Sequence, residues 1–286
     1  MIHIRTSPAA VLSISGEDHA EFLQGQGTAD LRGEPGLATY TLWLDFKGRV
    51  LGDSFVLKVD DEHMLLVSYD TPVAQLMAKF ERHIIADDVE IEDMTPLFDI
   101  LSFRADEPGS PDEPPPHSGH FSRSGDRWFF HGRRLGPGTI DCLLPADSDY
   151  NPGGRCLTGK EAMEIRIRAG IPAIPADTDE GSLNPLELNI LSALSFDKGC
   201  YLGQEVVARI HRLGRSTRCL AVFEGLADSI QGPAALHLDG VHVGRLTSVV
   251  KIIDNFVATG WLKRKLPEGE VALDEGLFEV RFTSPS

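Results

Sequence analysis

The chain has 286 residues, 42% of them hydrophobic and 24% charged, and a formal net charge of −16. That length exceeds one ordinary core and predicts two or three domains. The acidic balance argues against a general nucleic-acid or anionic-membrane surface, because phosphates would be repelled over most of the molecule.

No apolar run approaches the roughly 18 residues of a membrane span. Met1-Ile2-His3-Ile4-Arg5-Thr6 has neither a secretory h-region nor an Arg-rich amphipathic pattern, so a cytoplasmic location is expected. The first hundred residues read as mixed α and β. Ser15-Gly16-Glu17-Asp18 predicts a helix start with Ser15 as N-cap, the helix running through Phe22 and Leu23 to Gly25 or Gly27. Val50–Val59 and Met64–Tyr69 predict a hairpin. Thr71-Pro72 predicts the start of a helix with Val73, Leu76, Met77 and Phe80 on one face. Asp87–Asp93 reads as a solvated turn and edge strand.

Five prolines between Asp106 and Ser118 predict an exposed loop. Arg127–Gly132 and Thr139–Leu144 then read as strands, and Thr158-Gly159-Lys160-Glu161 as a capping box opening a helix that ends at Gly170. After Arg218 about six short apolar and β-branched runs follow, with an Asp239-Gly240 hairpin signal, which predicts a small antiparallel barrel or sandwich. The expected parts are 1–105, 118–212 and 215–286.

The four cysteines, Cys142, Cys156, Cys200 and Cys219, show no C-x-x-C pair and no metal-ligand spacing, so no metal is expected. Cys142, Cys156 and Cys219 read as small buried hydrophobes. Cys200 differs. It lies in Asp197-Lys198-Gly199-Cys200-Tyr201-Leu202-Gly203-Gln204-Glu205, where Gln204 and Glu205 read as the first turn of a short helix. A helix N-terminus and a nearby ammonium, here Lys198, both favour thiolate over thiol. A glycine-bounded turn around a buried cysteine is the competing reading. Arg209, His211, Arg212, Arg215 and Arg218 form a local basic cluster, suited to gripping a carboxylate or simply a solvated linker.

Lys198–Glu205 resembles the K-G-C-[FY]-x-G-Q-E signature of the YgfZ family, which is shared with the Iba57-type proteins of iron–sulfur assembly. Phe22–Asp30 is similar to that family's F-L-Q-G-Q-x-T-x-D, Lys47-Gly48-Arg49 to its K-G-[RK] turn, and Arg168–Pro172 to its x-x-G-I-P. The resemblance implies an α+β fold like the aminomethyltransferase T-protein, a multi-domain ring around a central tetrahydrofolate cavity with a C-terminal antiparallel β-barrel. It also implies folate-dependent support of iron–sulfur client or assembly proteins, with the signature cysteine acting directly.

The residues expected to act are Cys200, Lys198 and Asp53. Those expected to hold folate are Gln24, Gln26, Tyr201, Gln204, Glu205 and Arg209. Trp43 and Trp261 read as core or as pterin stackers. One departure stands out: where the T-protein has a pterin-holding glutamate in L-R-x-E-x-G, this chain has Arg168. That counts against the alternative of a folate-dependent aminomethyl- or methyltransferase. A non-catalytic scaffold for iron–sulfur clients is the second alternative.

Overall fold

The computed structural model describes residues 1–104, 117–179, 181–214, 216–226, 233–238, 240–264, 269–273 and 276–282, the last two ranges as backbone only. The predicted loop between Asp106 and Ser118 falls almost wholly outside these residues, as do Asp239 and Arg215.

Among the described residues, three sheets and four α-helices make an α+β architecture. The first sheet has the order β11-β1-β7-β10-β9-β8, from β1 (Ile2–Thr6), β7 (Phe98–Arg104), β8 (Phe121–Ser124), β9 (Arg127–His131), β10 (Ile140–Pro145) and β11 (Arg155–Cys156). It therefore joins chain from both sides of the proline-rich stretch. The second has the order β3-β4-β5-β2-β6, from β2 (Ala10–Ser15), β3 (Ala38–Leu44), β4 (Val50–Lys58), β5 (Met64–Ser68) and the edge strand β6 (Glu90–Asp93).

Alternation along these strands decides which layer each residue enters. Leu12, Ile14, Met64 and Leu66 face α1 (His19–Gln26) and α2 (Val73–Glu81), where Phe22, Trp43 and Phe80 pack. Val11, Leu65 and Val67 face the first sheet and meet Ile100, Trp128 and Phe130. Burial of each such side chain contributes about 1.5–3 kcal/mol, so a one-residue slip would be heavily penalised. Trp43 belongs to this core, its indole N–H donating to Ser54 Oγ at 3.1 Å.

The third sheet is six-stranded, β13-β14-β15-β12-β17-β16, and antiparallel throughout. Its strands are β12 (Arg218–Leu226), β13 (Ala234–Leu238), β14 (Val241–Ile252), β15 (Asn255–Lys263), β16 (Gly269–Leu273) and β17 (Gly276–Phe282). Val222, Val250 and Val257 pack on Ile167 of α3 (Gly159–Arg168). That helix starts with the predicted capping box: Thr158 Oγ1 accepts from the Glu161 amide, and Glu161 accepts from the Thr158 amide at 2.8 Å.

Three local expectations are corrected. The N-cap of α1 is Asp18 rather than Ser15, because Ser15 still pairs with Glu90 at the end of β2. Pro72, not Thr71, caps α2, and the Thr71 hydroxyl donates to Asp53 instead. Cys156 is exposed on the edge strand β11, while Cys142 and Cys219 are buried as expected.

Candidate functional site

The helix α4 (Gln204–Leu213) follows the signature segment as predicted, bracketed by Gly203 and Gly214, both with left-handed backbone. Cys200 is exposed and lines a groove of about 460 Å³ with Phe46, Leu202, Gln204, Glu205 and Val206. The groove exists because three separate stretches converge on it. Gly203 packs against the Asp45–Arg49 turn, close to Gly48. The Leu202 amide donates to Gly25 O at 3.1 Å. Lys198 is buried, and its ammonium donates to the carbonyls of Gln24, Gly27 and Ala29 at 2.7–2.8 Å.

Gln24 lies in the last turn of α1, where carbonyls lack intrahelical partners, and Gly27 and Ala29 lie in the chain just beyond it. They absorb the ammonium's donors, although burial still pulls its pKa down to about 8. Gln24 is also committed locally, donating to Asp30 and accepting from the Leu31 amide. Gln26 accepts from Lys79 at 2.9 Å. Tyr201 sits in the core with Leu42, Leu44 and Val207, its hydroxyl pushed to about 12 by burial. Glu205 and Arg209 are exposed on α4, with Arg212 and with His211, which stacks on Phe196 at 4.3 Å. Arg218 does not join this basic face. It lies over Trp261 and pairs with Glu187 at 3.0 Å, which corrects the cluster and makes Trp261 part of a structural contact.

Asp53 stands elsewhere, in a cavity of about 310 Å³ where all three sheets contribute. Tyr40 and Asp53 come from the second sheet, with Tyr69 and Asp70 just beyond β5. Thr6, Arg133 and Arg134 come from the first sheet and its turns, and Ser248 from the third. Asp53 accepts from the Tyr40 hydroxyl at 2.8 Å and the Thr71 hydroxyl at 2.9 Å. Burial outweighs these bonds and raises its pKa to about 6. A second, similar set lies beside it: the Tyr69 hydroxyl donates to buried Asp141, whose pKa burial also raises to about 6. Arg133 lies 4.1 Å over the Tyr40 ring and Arg134 4.6 Å over the Tyr69 ring.

Of the nine expected site residues, only Asp53 lines this cavity. Cys200, Tyr201, Gln204 and Glu205 line the outer groove. Arg166, not Arg168, reaches the cavity wall. It pairs there with buried Asp177 at 2.9 Å, while Arg168 bridges Glu164 and Glu224 in the open. The sequence reading missed Tyr40, Tyr69, Asp141 and the Arg133-Arg134 pair. That pair was detectable as a reversal of sign in an acidic chain. Among the described residues, no group of three or more His, Cys, Asp or Glu is placed to hold a metal ion, and no helix is long and apolar enough to cross a membrane.

The GCVT N-terminal domain family matches residues 4–103. The iron–sulfur cluster assembly factor IBA57 homolog of Neurospora crassa is 26% identical over 91% of this chain and 61% of its own length. The tRNA-modifying protein YgfZ of Klebsiella pneumoniae is 27% identical over 77% of this chain and 71% of its own. The chain is similar in sequence to proteins of the YgfZ and IBA57 type. It spans about three-fifths of the length of its fungal relative. The fold is that of the glycine cleavage aminomethyltransferase T from Bartonella henselae, with a TM-score of 0.76, 15% identity, and 99% of this chain and 85% of that one covered.

Proposed function

We propose that this chain is a cytoplasmic, tetrahydrofolate-binding accessory protein that supports assembly or repair of iron–sulfur proteins. Folate occupies the Asp53 cavity, and Cys200 acts in the outer groove on the client side. In this arrangement the three sheets ring the cavity and the C-terminal sheet closes as a small barrel. The cavity is the observation that carries the proposal. It combines a volume within the usual ligand range, two aromatic walls, a carboxyl poised near neutrality, and the buried Nε and Nη2 of Arg134 without a hydrogen-bond partner. These groups suit a flat, hydrogen-bonding heterocycle with an anionic tail.

When bound, tetrahydrofolate supplies a carrier for one-carbon units. The chain's own contribution is to exclude water and to hold a proton at Asp53, with Tyr40 and Thr71 fixing the carboxyl's orientation. Cys200, solvent-facing, offers its sulfur to a client as nucleophile, redox thiol or transient ligand.

Titration of tetrahydrofolate into the wild type and Cys200→Ser, paired with rescue of iron–sulfur enzyme activity in cells lacking the protein, tests this. The serine variant is expected to bind folate normally and to fail in rescue. Absence of binding by the wild type, or full rescue by the variant, would overturn it.

Asp53 also favours a second reading, a folate-dependent aminomethyl- or methyltransferase, since a carboxyl with a pKa of about 6 suits general acid–base work. Formation of methylene- or methyl-tetrahydrofolate from an aminomethyl or methyl donor would support it. Loss of that product in Asp53→Asn would assign the proton transfer.

A further inference from the structure

Arg133 and Arg134 are adjacent in the chain and both reach the cavity from the turn after β9. Each guanidinium lies over a tyrosine ring, Tyr40 or Tyr69. Neither hydrogen-bonds a carboxylate among the described residues. Asp53 accepts from Tyr40 and Thr71, and Asp141 accepts from Tyr69 through Oδ2 while its Oδ1 has no hydrogen-bond partner. The Nε and Nη2 atoms of Arg134 are buried without any hydrogen-bond partner. Leaving a guanidinium in that state is strongly unfavourable unless an anion completes it.

Both arginines line the cavity over tyrosine faces, and a guanidinium fork matches a flat, two-oxygen group. A glutamate tail carries two such carboxylates, so each arginine can face one of them.

We propose that Arg133 and Arg134 form a carboxylate-recognition site and that, in the folate-bound protein, they hold the glutamate tail. This rests on the cavity being the folate site and adds which end of the ligand faces the arginines. It also moves tail recognition from the exposed Arg209 face of α4 to the cavity.

Calorimetric titration with tetrahydrofolate and with its α,γ-diamide tests the assignment, since the diamide keeps the pterin and benzoyl groups and removes the tail's charge. The wild type is expected to prefer tetrahydrofolate by about 10-fold or more, as charged hydrogen bonds are lost with the diamide. In Arg134→Met that preference should shrink to within about 2-fold, and Arg134→Lys should keep part of it. Equal binding of both compounds by the wild type, a comparison that needs no variant, would overturn the tail assignment and leave the folate reading standing. A preference that survives in a folded Arg134→Met, checked by circular dichroism, would overturn it too. Binding of neither compound by the wild type would overturn the folate reading itself.

Discussion

Gly48 and Gly203 pack backbone against backbone, and this contact joins the Lys47–Arg49 turn to the Cys200 segment. A Cβ built on Gly203 would lie 3.0 Å from Gly48 Cα and 2.6 Å from the Asp45 carbonyl oxygen, and both glycines have positive φ, 73° and 83°. Neither position accepts a side chain, for conformational and steric reasons together. Gly203→Ala is expected to destabilise the fold by about 2–4 kcal/mol, from left-handed strain plus overpacking. Gly199 meets nothing within 4 Å, so Gly199→Ala should stay within about 0.5 kcal/mol of the wild type. Urea unfolding of the two variants checks the contrast, and equal losses would show that the contact is not what fixes the motif.

The Asp53 carboxyl predicts an inverted pH dependence. Its folded pKa, about 6, lies above the unfolded carboxylate value, so the folded state holds the extra proton between roughly pH 4 and 6. Stability from this group is therefore present at low pH and lost as pH rises through 6. For a two-unit shift the loss is about 3 kcal/mol. Asp53→Asn should gain stability relative to the wild type by about that amount between pH 4 and 7, read from urea midpoints at each pH. Tyr40→Phe removes a hydrogen bond that favours the ionised form, so it should push the carboxyl higher still. Carbon-13 NMR titration of Asp53 measures the direction, and a fall would contradict the account.

The local features were legible because each rests on neighbouring residues. Thr158 and Glu161 announce a capping box, and Gly203 with Gly214 brackets α4. The groove residues of the signature segment are contiguous, so the sequence could point to Cys200. The cavity was not legible in this way. Tyr69 and Asp141 are 72 positions apart and Thr71 reaches the carbonyl of Ile174 over 103. Only the packing of the second sheet against the first sheet and against the segment after α3 brings such residues together. Lys198 shows a different limit, because its charge reads as an activator of Cys200 in the sequence, whereas the last turn of α1 and the chain after it supply three carbonyls to its ammonium.

Lys198 is thus expected to be an anchor. Lys198→Met would leave the buried carbonyls of Gln24, Gly27 and Ala29 without their donor, at a cost of about 3–5 kcal/mol. The Gln24 carbonyl cannot fall back on the Thr28 amide, which donates to Leu42. Chemical denaturation measures the loss. A variant as stable as the wild type but inactive would instead assign the lysine to chemistry.

Arg166 and Asp177 make a corresponding test on the cavity's other wall. Asp177 is fully buried and accepts from Arg166, the Ala173 amide, Thr247 and Ser248, tying α3 to β14. Removing one partner strands the other charge, so Arg166→Met should cost about 3–5 kcal/mol. The double variant Arg166→Met with Asp177→Asn should recover part of it, because no uncompensated charge remains. Thermal and urea unfolding of the single and double variants read the coupling directly. Additive losses would contradict it.

Exposure separates the four thiols into two classes. Cys156 and Cys200 face solvent, whereas Cys142 and Cys219 are buried, and burial raises the Cys219 thiol above its ordinary range. Since the thiolate is the reactive form and must be reached by reagent, brief maleimide treatment of the native protein should add two labels, and treatment in denaturant four. Cys200→Ser should lower the native count to one, with Cys156 identified by peptide mass spectrometry. Labelling of the native protein in the presence of saturating tetrahydrofolate then bears on the separation of the two sites. Cys200 lines the outer groove and Asp53 the cavity, with no lining residue in common, so ligand in the cavity should leave the Cys200 rate within about 2-fold of its unliganded value. Strong protection of Cys200 by folate would mean that the two sites communicate, and would place the sulfur within the folate chemistry itself.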